Sequence, residues 1–490
     1  MKKHSAMSWI LMLAVSALLL MMIGCAAPKE DGKIPITTKS ELAREHYLQG
    51  RDLWEKLRFQ ESIQFFENAI AEDPDFAMAY LNLSFVTPSA KGFWANLGKA
   101  TALVNKVSQG ERLWILGVEA GAHAYAMKQR ELYRELVEAF PEDERAHNLL
   151  GNHYFGQEEY ELAIREYHKA TGINPDFSQP YNQLGYAHRF MENFDEAEKA
   201  FRTYIELIPD DPNPYDSYAE LLMKTGRYDE SIEQYKKALT ADPNFVASHI
   251  GIATNLNFKG NYEEAREQLQ VLYDMARNDG ERRAALFAMS VSYVDEENTD
   301  AAIGEQKRAY ALAEKINDAA AMGGDLVAMG NILLEAGRID EAAANYERAV
   351  EIVGESDLSE EVKDNTKRAY LFNAARADLK RGDLEAAKTK AEEYRERVEA
   401  VRNPFQVKLA HQLAGMIALE EKEYGRALEE LQKASLQNPY NWYRMALAFQ
   451  GKGDKERAKE LCEKAAKWNA LNSLNYAFMR HKAAQMLESM

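Results

Sequence analysis

The chain has 490 residues, with 13 prolines, 27 glycines and abundant Ala, Glu, Leu and Lys, a helix-forming composition. Acidic residues outnumber basic ones by 78 to 60, and the net charge of −18 opposes sustained phosphate contact, which excludes nucleic acid as a partner. Two cysteines, Cys25 and Cys462, with no His-x3-His spacing, exclude a zinc site, and nothing in the composition demands a cofactor.

The first element is a leader. Lys2, Lys3 and His4 start it, and the chain from Trp9 to Ile23 is apolar apart from Ser16. That run is too short and wrongly flanked for a transmembrane helix. It closes on Met22-Ile23-Gly24-Cys25, with a small residue before the cysteine. This resembles a bacterial lipoprotein signal, although the family prefers Leu where Met22 stands. The resemblance implies removal of residues 1–24 and acylation of Cys25, palmitate being one such chain. Several acyl chains on one residue hold a protein at a bilayer far better than one. An ordinary secretory signal or an uncleaved anchor is the alternative. Ala26 in second place favours sorting to the outer membrane, with the folded part on the periplasmic side. Residues 25–39 carry Pro, Gly and charge without helical period and read as a flexible tether.

Beyond the tether, Pro141, Pro175, Pro209 and Pro243 stand 34 residues apart. Length alone suggests about three domains, but a period this regular indicates one helix pair copied and stacked along an axis. In the unit from Glu144 to Phe177, Gly151 and Tyr154 fall on a first helix, then Ala163, Tyr167 and Ala170 on a second, which Pro175 ends. The following unit repeats this with Leu184, Gly185, Ala197, Phe201 and Pro209, and the next with Tyr218, Ala219, Leu222, Ser231, Tyr235, Ala238 and Pro243. Small residues let the helices approach and the ring fills the space beside them. Gly226 and Gly260 fall between helices, where a positive φ ends the first one. These spacings resemble the tetratricopeptide repeat, and the resemblance implies an all-α, right-handed α-solenoid of stacked helix-turn-helix repeats.

Other units are looser. One holds Gly50, Ser62, Phe66, Ala69 and Pro74; residues 77–109 fit poorly, though Trp94 and Leu97 can pack in a degenerate pair. After Asn278-Asp279-Gly280 the register shifts and units lengthen, with matches at Gly330, Gly337, Tyr346, Gly382, Gly415 and Gly453. The expected organisation is a first array over 40–280 and a more degenerate one over 281–490, with an elbow between them, roughly ten units in all and a capping helix from Asn469.

No phosphate loop, His-Glu-x-x-His or Gly-x-Ser-x-Gly motif occurs, so no enzyme is expected. His147 and His153 are six apart and point to different helix faces. The resemblance places groove-facing residues at four positions of each first helix. They are Arg145, Asn148, Asn152 and Phe155, then Gln179, Asn182, Tyr186 and Arg189, then Asn213, Asp216, Glu220 and Met223. Amide and aromatic groups of this kind can hold an extended peptide. Family members that clamp a C-terminal carboxylate carry Lys and Arg where Asn148, Asn182 and Asp216 stand here. The expected function is therefore a membrane-tethered scaffold recruiting an envelope protein or peptide. The alternative is a lipoprotein that captures glycan or peptide for an uptake system.

Overall fold

A computed structural model describes residues 32–490; the leader and Cys25 lie outside the described residues. Among the described residues the chain is helical, without strands. The first three helix pairs are α1 (Glu41–Glu55) with α2 (Phe59–Glu72), α3 (Ala77–Val86) with α4 (Ala90–Ala102), and α5 (Gln109–Ala122) with α6 (Ala126–Ala139). Next come α7 (Glu144–Gly156) with α8 (Tyr160–Ile173), α9 (Gln179–Phe190) with α10 (Phe194–Leu207), and α11 (Pro212–Lys224) with α12 (Tyr228–Ala241). They are followed by α13 (Val246–Phe258) with α14 (Tyr262–Met275), α15 (Asp279–Asp295) with α16 (Thr299–Glu314), and α17 (Ala319–Glu335) with α18 (Ile339–Gly354). The last are α19 (Glu360–Arg381) with α20 (Leu384–Val401), α21 (Pro404–Glu420) with α22 (Tyr424–Lys433), α23 (Pro439–Gly451) with α24 (Lys455–Ala466), and a single α25 (Leu474–Glu488). Twelve pairs are present, against the roughly ten expected, because several lack the full residue pattern. The result is an α-solenoid of stacked helix-turn-helix units.

One packing device recurs. A Cβ added to Gly151 would lie 2.5 Å from the Tyr167 ring, and one on Gly185 2.4 Å from Phe201. Gly117 meets Tyr133 and Gly330 meets Tyr346 in the same way. In every case the ring lies sixteen residues further on, in the second helix of the pair. A missing side chain on one helix thus makes the hole that the ring of its partner fills. Tyr167, Phe201 and Tyr346 are buried accordingly.

The turn inside every pair except α3–α4 also repeats, with one residue at positive φ. Gly226 (79°) and Gly260 (81°) take it without penalty, as their spacing predicts. Ala124, Glu158, Glu192 and Lys422 take it as non-glycines, at φ of 61–64°, each at a cost of about 1–2 kcal/mol. Helix starts are fixed by side chains: Asp143 accepts from the amides of Arg145 and Ala146, and Ser108 with Glu111 forms a reciprocal capping box.

Residues 33–40 are not a flexible tether, contrary to the expectation for this stretch. They form an extended strap across the starts of α5 and α7. The Ile34 amide donates to Asp143 Oδ2 at 2.8 Å, and the Thr37 amide and hydroxyl donate to Glu111 at 2.8 and 2.5 Å. Lys39 N donates to Asp73 at 3.0 Å, and Lys33 pairs with Glu144. Buried carboxylates at helix starts need donors, and the strap supplies backbone amides that no helix uses.

The solenoid winds far enough to meet itself. The turns within early pairs touch the helix starts and turns of late ones. Asn403 donates to Ala124 O (2.7 Å), Lys408 to Glu158 (2.6 Å) and Gln437 to Phe190 O (3.3 Å). Lys464 pairs with Glu192 at 2.9 Å, and the Lys224 ammonium donates to Trp468 O at 2.7 Å while lying over its ring. The final α25 seals the end, with Arg480 on Asp295 at 2.8 Å and Tyr476 edge-on to Phe258. The positive φ at Glu158 and Glu192 falls on two residues whose side chains bridge this seam. A glycine would relax the turn and lose the bridge.

Candidate functional site

The first helices of successive units touch along their inner faces, and that contact decides what the expected groove residues do. Asn148 donates to Gln179 at 2.7 Å, Asn182 to Asn213 at 3.2 Å, and Ser248 to Asp216 at 2.7 Å. A ladder of polar side chains thus runs from α7 through α9 and α11 to α13. Tyr186 OH donates to Glu220 at 2.8 Å and Arg189 to the other oxygen of the same carboxylate at 3.0 Å. Arg145 holds Glu55 with two nitrogens, at 2.6 and 3.0 Å, and lies over the Phe177 ring. Asn152 accepts from Tyr167 OH at 2.9 Å, and Phe155 packs edge-on against Tyr160 and Phe190.

All twelve expected groove residues lie on the first helices of three successive units, but not as free groups. Asn148, Gln179, Asn182, Asn213, Asp216, Glu220 and Met223 are buried, and Arg145, Asn152, Phe155, Tyr186 and Arg189 are partly buried. Most of their polar side chains bond a neighbouring helix: each other, Glu55 of the first pair, Tyr167 or Ser248. The expectation of an open peptide groove at these positions is corrected on that ground: winding brings consecutive inner helices into contact. Burial, with the nearby charge of Glu220, pushes the Asp216 carboxyl well above the usual range. Arg189 pairs with Glu220 at 3.0 Å, and Asp216 is held by the Ser248 hydroxyl.

The open space lies elsewhere, at the seam. Between α4 on one side and the α17 start and α18 end on the other is a cleft of about 780 Å³. Two bonds hold its mouth: the Lys91 amide donates to Asp318 Oδ2 at 3.1 Å, and its ammonium to Ile316 O at 3.2 Å. Trp94, Leu97, Met322, Ile352 and Leu358 make an apolar floor. Trp94 stacks on His123, with ring centroids 5.3 Å apart and planes 23° apart. Glu119, Glu355 and Asp357 stand around the rim. Sequence reasoning could see Trp94 and Leu97 as packing residues, but it could not bring them beside Met322 and Ile352, more than 220 residues away.

Among the described residues no group of His, Cys, Asp and Glu is placed to hold a metal, and no helix is long and apolar enough to cross a membrane. Cys462 is buried, and burial pushes its thiol up to about 11, which suits a packing residue. His153 is buried as a neutral ring: Arg130 Nε donates to its Nε2 at 3.2 Å, and its Nδ1 faces Gln129 Oε1 at 2.9 Å. Burial and then Arg130 lower its pKa to about 4.

Fold and site together define a helical repeat protein with an apolar-floored cleft where its turns meet. Models of the tetratricopeptide repeat match residues 130–176, 182–244, 222–289, 326–352 and 439–470, so the chain carries tetratricopeptide repeats, which point to a protein-interaction scaffold. No sequence among the curated proteins matches this chain. Among solved structures it is similar to the MamA protein, at 19% identity over 34% of this chain and 91% of that one, with a TM-score of 0.29. A tetratricopeptide repeat protein from Parabacteroides merdae ATCC 43184 matches at 15% identity over 54% and 99%, TM-score 0.36. A chain of the APC/C hetero-tetramer Cut9-Hcn1 matches at 14% identity over 93% and 81%, TM-score 0.40.

Proposed function

We propose that this chain is a membrane-tethered scaffold that recruits a protein partner in the bacterial cell envelope, held by lipid on Cys25 at the outer membrane on its periplasmic side. The observation that supports the binding half is the use of the chain: helix pairs take up nearly all described residues, and the cleft of about 780 Å³ between turns has an apolar floor. The tether half rests on the Met22 to Cys25 pattern and on the strap. Lys33, where docking begins, stands only eight positions after Cys25. Fully extended, that stretch reaches about 28 Å. A lipid there holds the edge formed by the α5 and α7 starts close to the bilayer and raises partner concentration at that surface.

A second reading, extracytoplasmic capture of a glycan or peptide, is favoured by a row of rings beside the cleft. Trp54, Phe85, Phe93, Trp94, His123 and Tyr125 follow one another at 5.0–6.4 Å. Phe85 and Tyr125 are 40% and 37% exposed.

The test is a crosslinking pull-down from native membranes with wild type and Cys25→Ser. The scaffold reading expects one envelope protein captured by wild type, and the variant in the soluble fraction. Retention of Cys25→Ser at the membrane refutes the lipid tether. If no protein is captured while an oligosaccharide binds, the capture reading replaces the scaffold.

A further inference from the structure

The inter-turn cleft has a chemistry that selects its occupant. Its volume of about 780 Å³ lies in the range of sites that bury a ligand of several hundred daltons. The floor is apolar and stiff, because Trp94 is clamped against His123 and Leu97 is buried beneath it. Gly98 adds room: a Cβ built there meets nothing within 4 Å.

Above the floor the charge is one-sided. Glu119, Glu355 and Asp357 make no ion pair among the described residues. The lone lysine of the lining, Lys91, already donates its ammonium to Ile316 O. Asp318 caps α17 and accepts from the Lys91 amide, so its charge stays in place. Exposed carboxylates over an aromatic floor repel anions and attract a cation that also brings apolar surface. A second copy of this chain, at net charge −18, is the wrong partner. A peptide segment with a large apolar or aromatic anchor beside Lys or Arg satisfies both parts of the site.

From this we infer that the partner of the scaffold docks such a cationic, aromatic peptide segment in the inter-turn cleft, not on the inner face of the repeats. The inference rests on the scaffold reading and adds the place and the chemistry of recognition. Aromatic anchor and basic residue act together: the ring fills the floor between Trp94 and Met322, while the cation reaches Glu355 and Asp357 at the rim. Winding makes the site, since α4 and α18 belong to different turns of the solenoid.

The experiment uses the full-length chain and two labelled synthetic peptides, one alternating Lys with Trp and Leu, the other with Glu in place of Lys. Two variants change the cleft without touching buried contacts: the pair Glu355→Lys with Asp357→Lys, and Gly98→Leu, which fills it. A control, Glu396→Lys, changes charge on the outer face of α20. The expected result is saturable binding of the Lys peptide alone. Binding falls about tenfold or more in both cleft variants, is unchanged in the control, and weakens with salt. Equal binding of the Glu peptide, loss in the control, or unchanged binding in both cleft variants overturns the proposal. Repeating the membrane pull-down with Gly98→Leu separates the two readings: a partner still captured leaves the scaffold intact and removes the cleft from it.

Discussion

Buried His153 supplies the sharpest quantitative prediction. Its Nε2 accepts from Arg130 while its Nδ1 faces an amide oxygen, so the folded site fits the neutral ring with the proton on Nδ1. Arg130 is held in place by Glu159 at 2.5 Å. The folded pKa of about 4 lies below the ordinary value of 6.5. Between those two values the unfolded ring takes up a proton that the folded ring refuses. The unfolded state therefore binds more protons, and stability falls as pH falls through this window. Going from pH 7 to pH 5, the loss from this one group is about 2 kcal/mol. His153→Gln keeps an acceptor for Arg130 and a donor for Gln129 but cannot titrate. Its stability should lose about 2 kcal/mol less than wild type over the same interval. Urea titrations at both pH values, read by amide exchange in α7, measure the difference locally, as an array can open unit by unit. Equal pH slopes in wild type and variant refute the reasoning, as does an imidazole that titrates near 6.5 by NMR.

Three further outcomes follow from the packing. Glu111→Ala removes the acceptor for the Thr37 amide and hydroxyl and should free the strap, at a cost of about 2–4 kcal/mol in local stability. Faster amide exchange and new proteolytic cleavage in residues 33–40, with α5 and α7 still protected, would show it; unchanged protection of the strap would contradict it. Gly151→Ala forces a methyl to 2.5 Å from the Tyr167 ring and should cost about 1–3 kcal/mol, seen as a lower denaturation midpoint. Glu158→Gly relaxes the turn at φ 61° but cuts the bridge to Lys408. Exchange should quicken at the seam around α21, while the α7–α8 turn itself stays as stable or becomes more so.

How much of this was readable beforehand depends on the distance over which residues act. Gly151 and Tyr167 are sixteen residues apart, within one unit, and their types reveal the contact directly. Gly226 and Gly260 likewise announce their turns. At the same place Glu158 and Glu192 hide theirs, because the αL penalty is accepted for side chains that the seam uses. The pair α3–α4 was obscure because Ser84 and Ala100 occupy the sites where other units set glycine against a ring. The strap could not be read at all: Thr37 carries no pattern, and its partner Glu111 looks like an ordinary capping residue. The candidate site failed for the same reason. Asn148 and Asp216 stand on first helices as expected, but only the tightness of winding shows that they bond Gln179 and Ser248 of the next unit. That winding sums small rotations over many units, a quantity no local motif encodes. The cleft at Trp94 and Met322 exists only after the sum is made.

The contact between successive turns underlies both the closed inner face and the cleft, and one crosslink tests it. Glu192 and Lys464 face each other at 2.9 Å although 272 residues separate them. In a Cys25→Ser background, with Cys462 buried and its thiol raised to about 11, cysteines placed at 192 and 464 are the reactive pair. A short bis-maleimide applied to dilute protein should join them within one chain, in high yield and without loss of helicity. A chain that modifies both cysteines singly yet forms no internal link would show that the solenoid stays open, and the cleft would go with it.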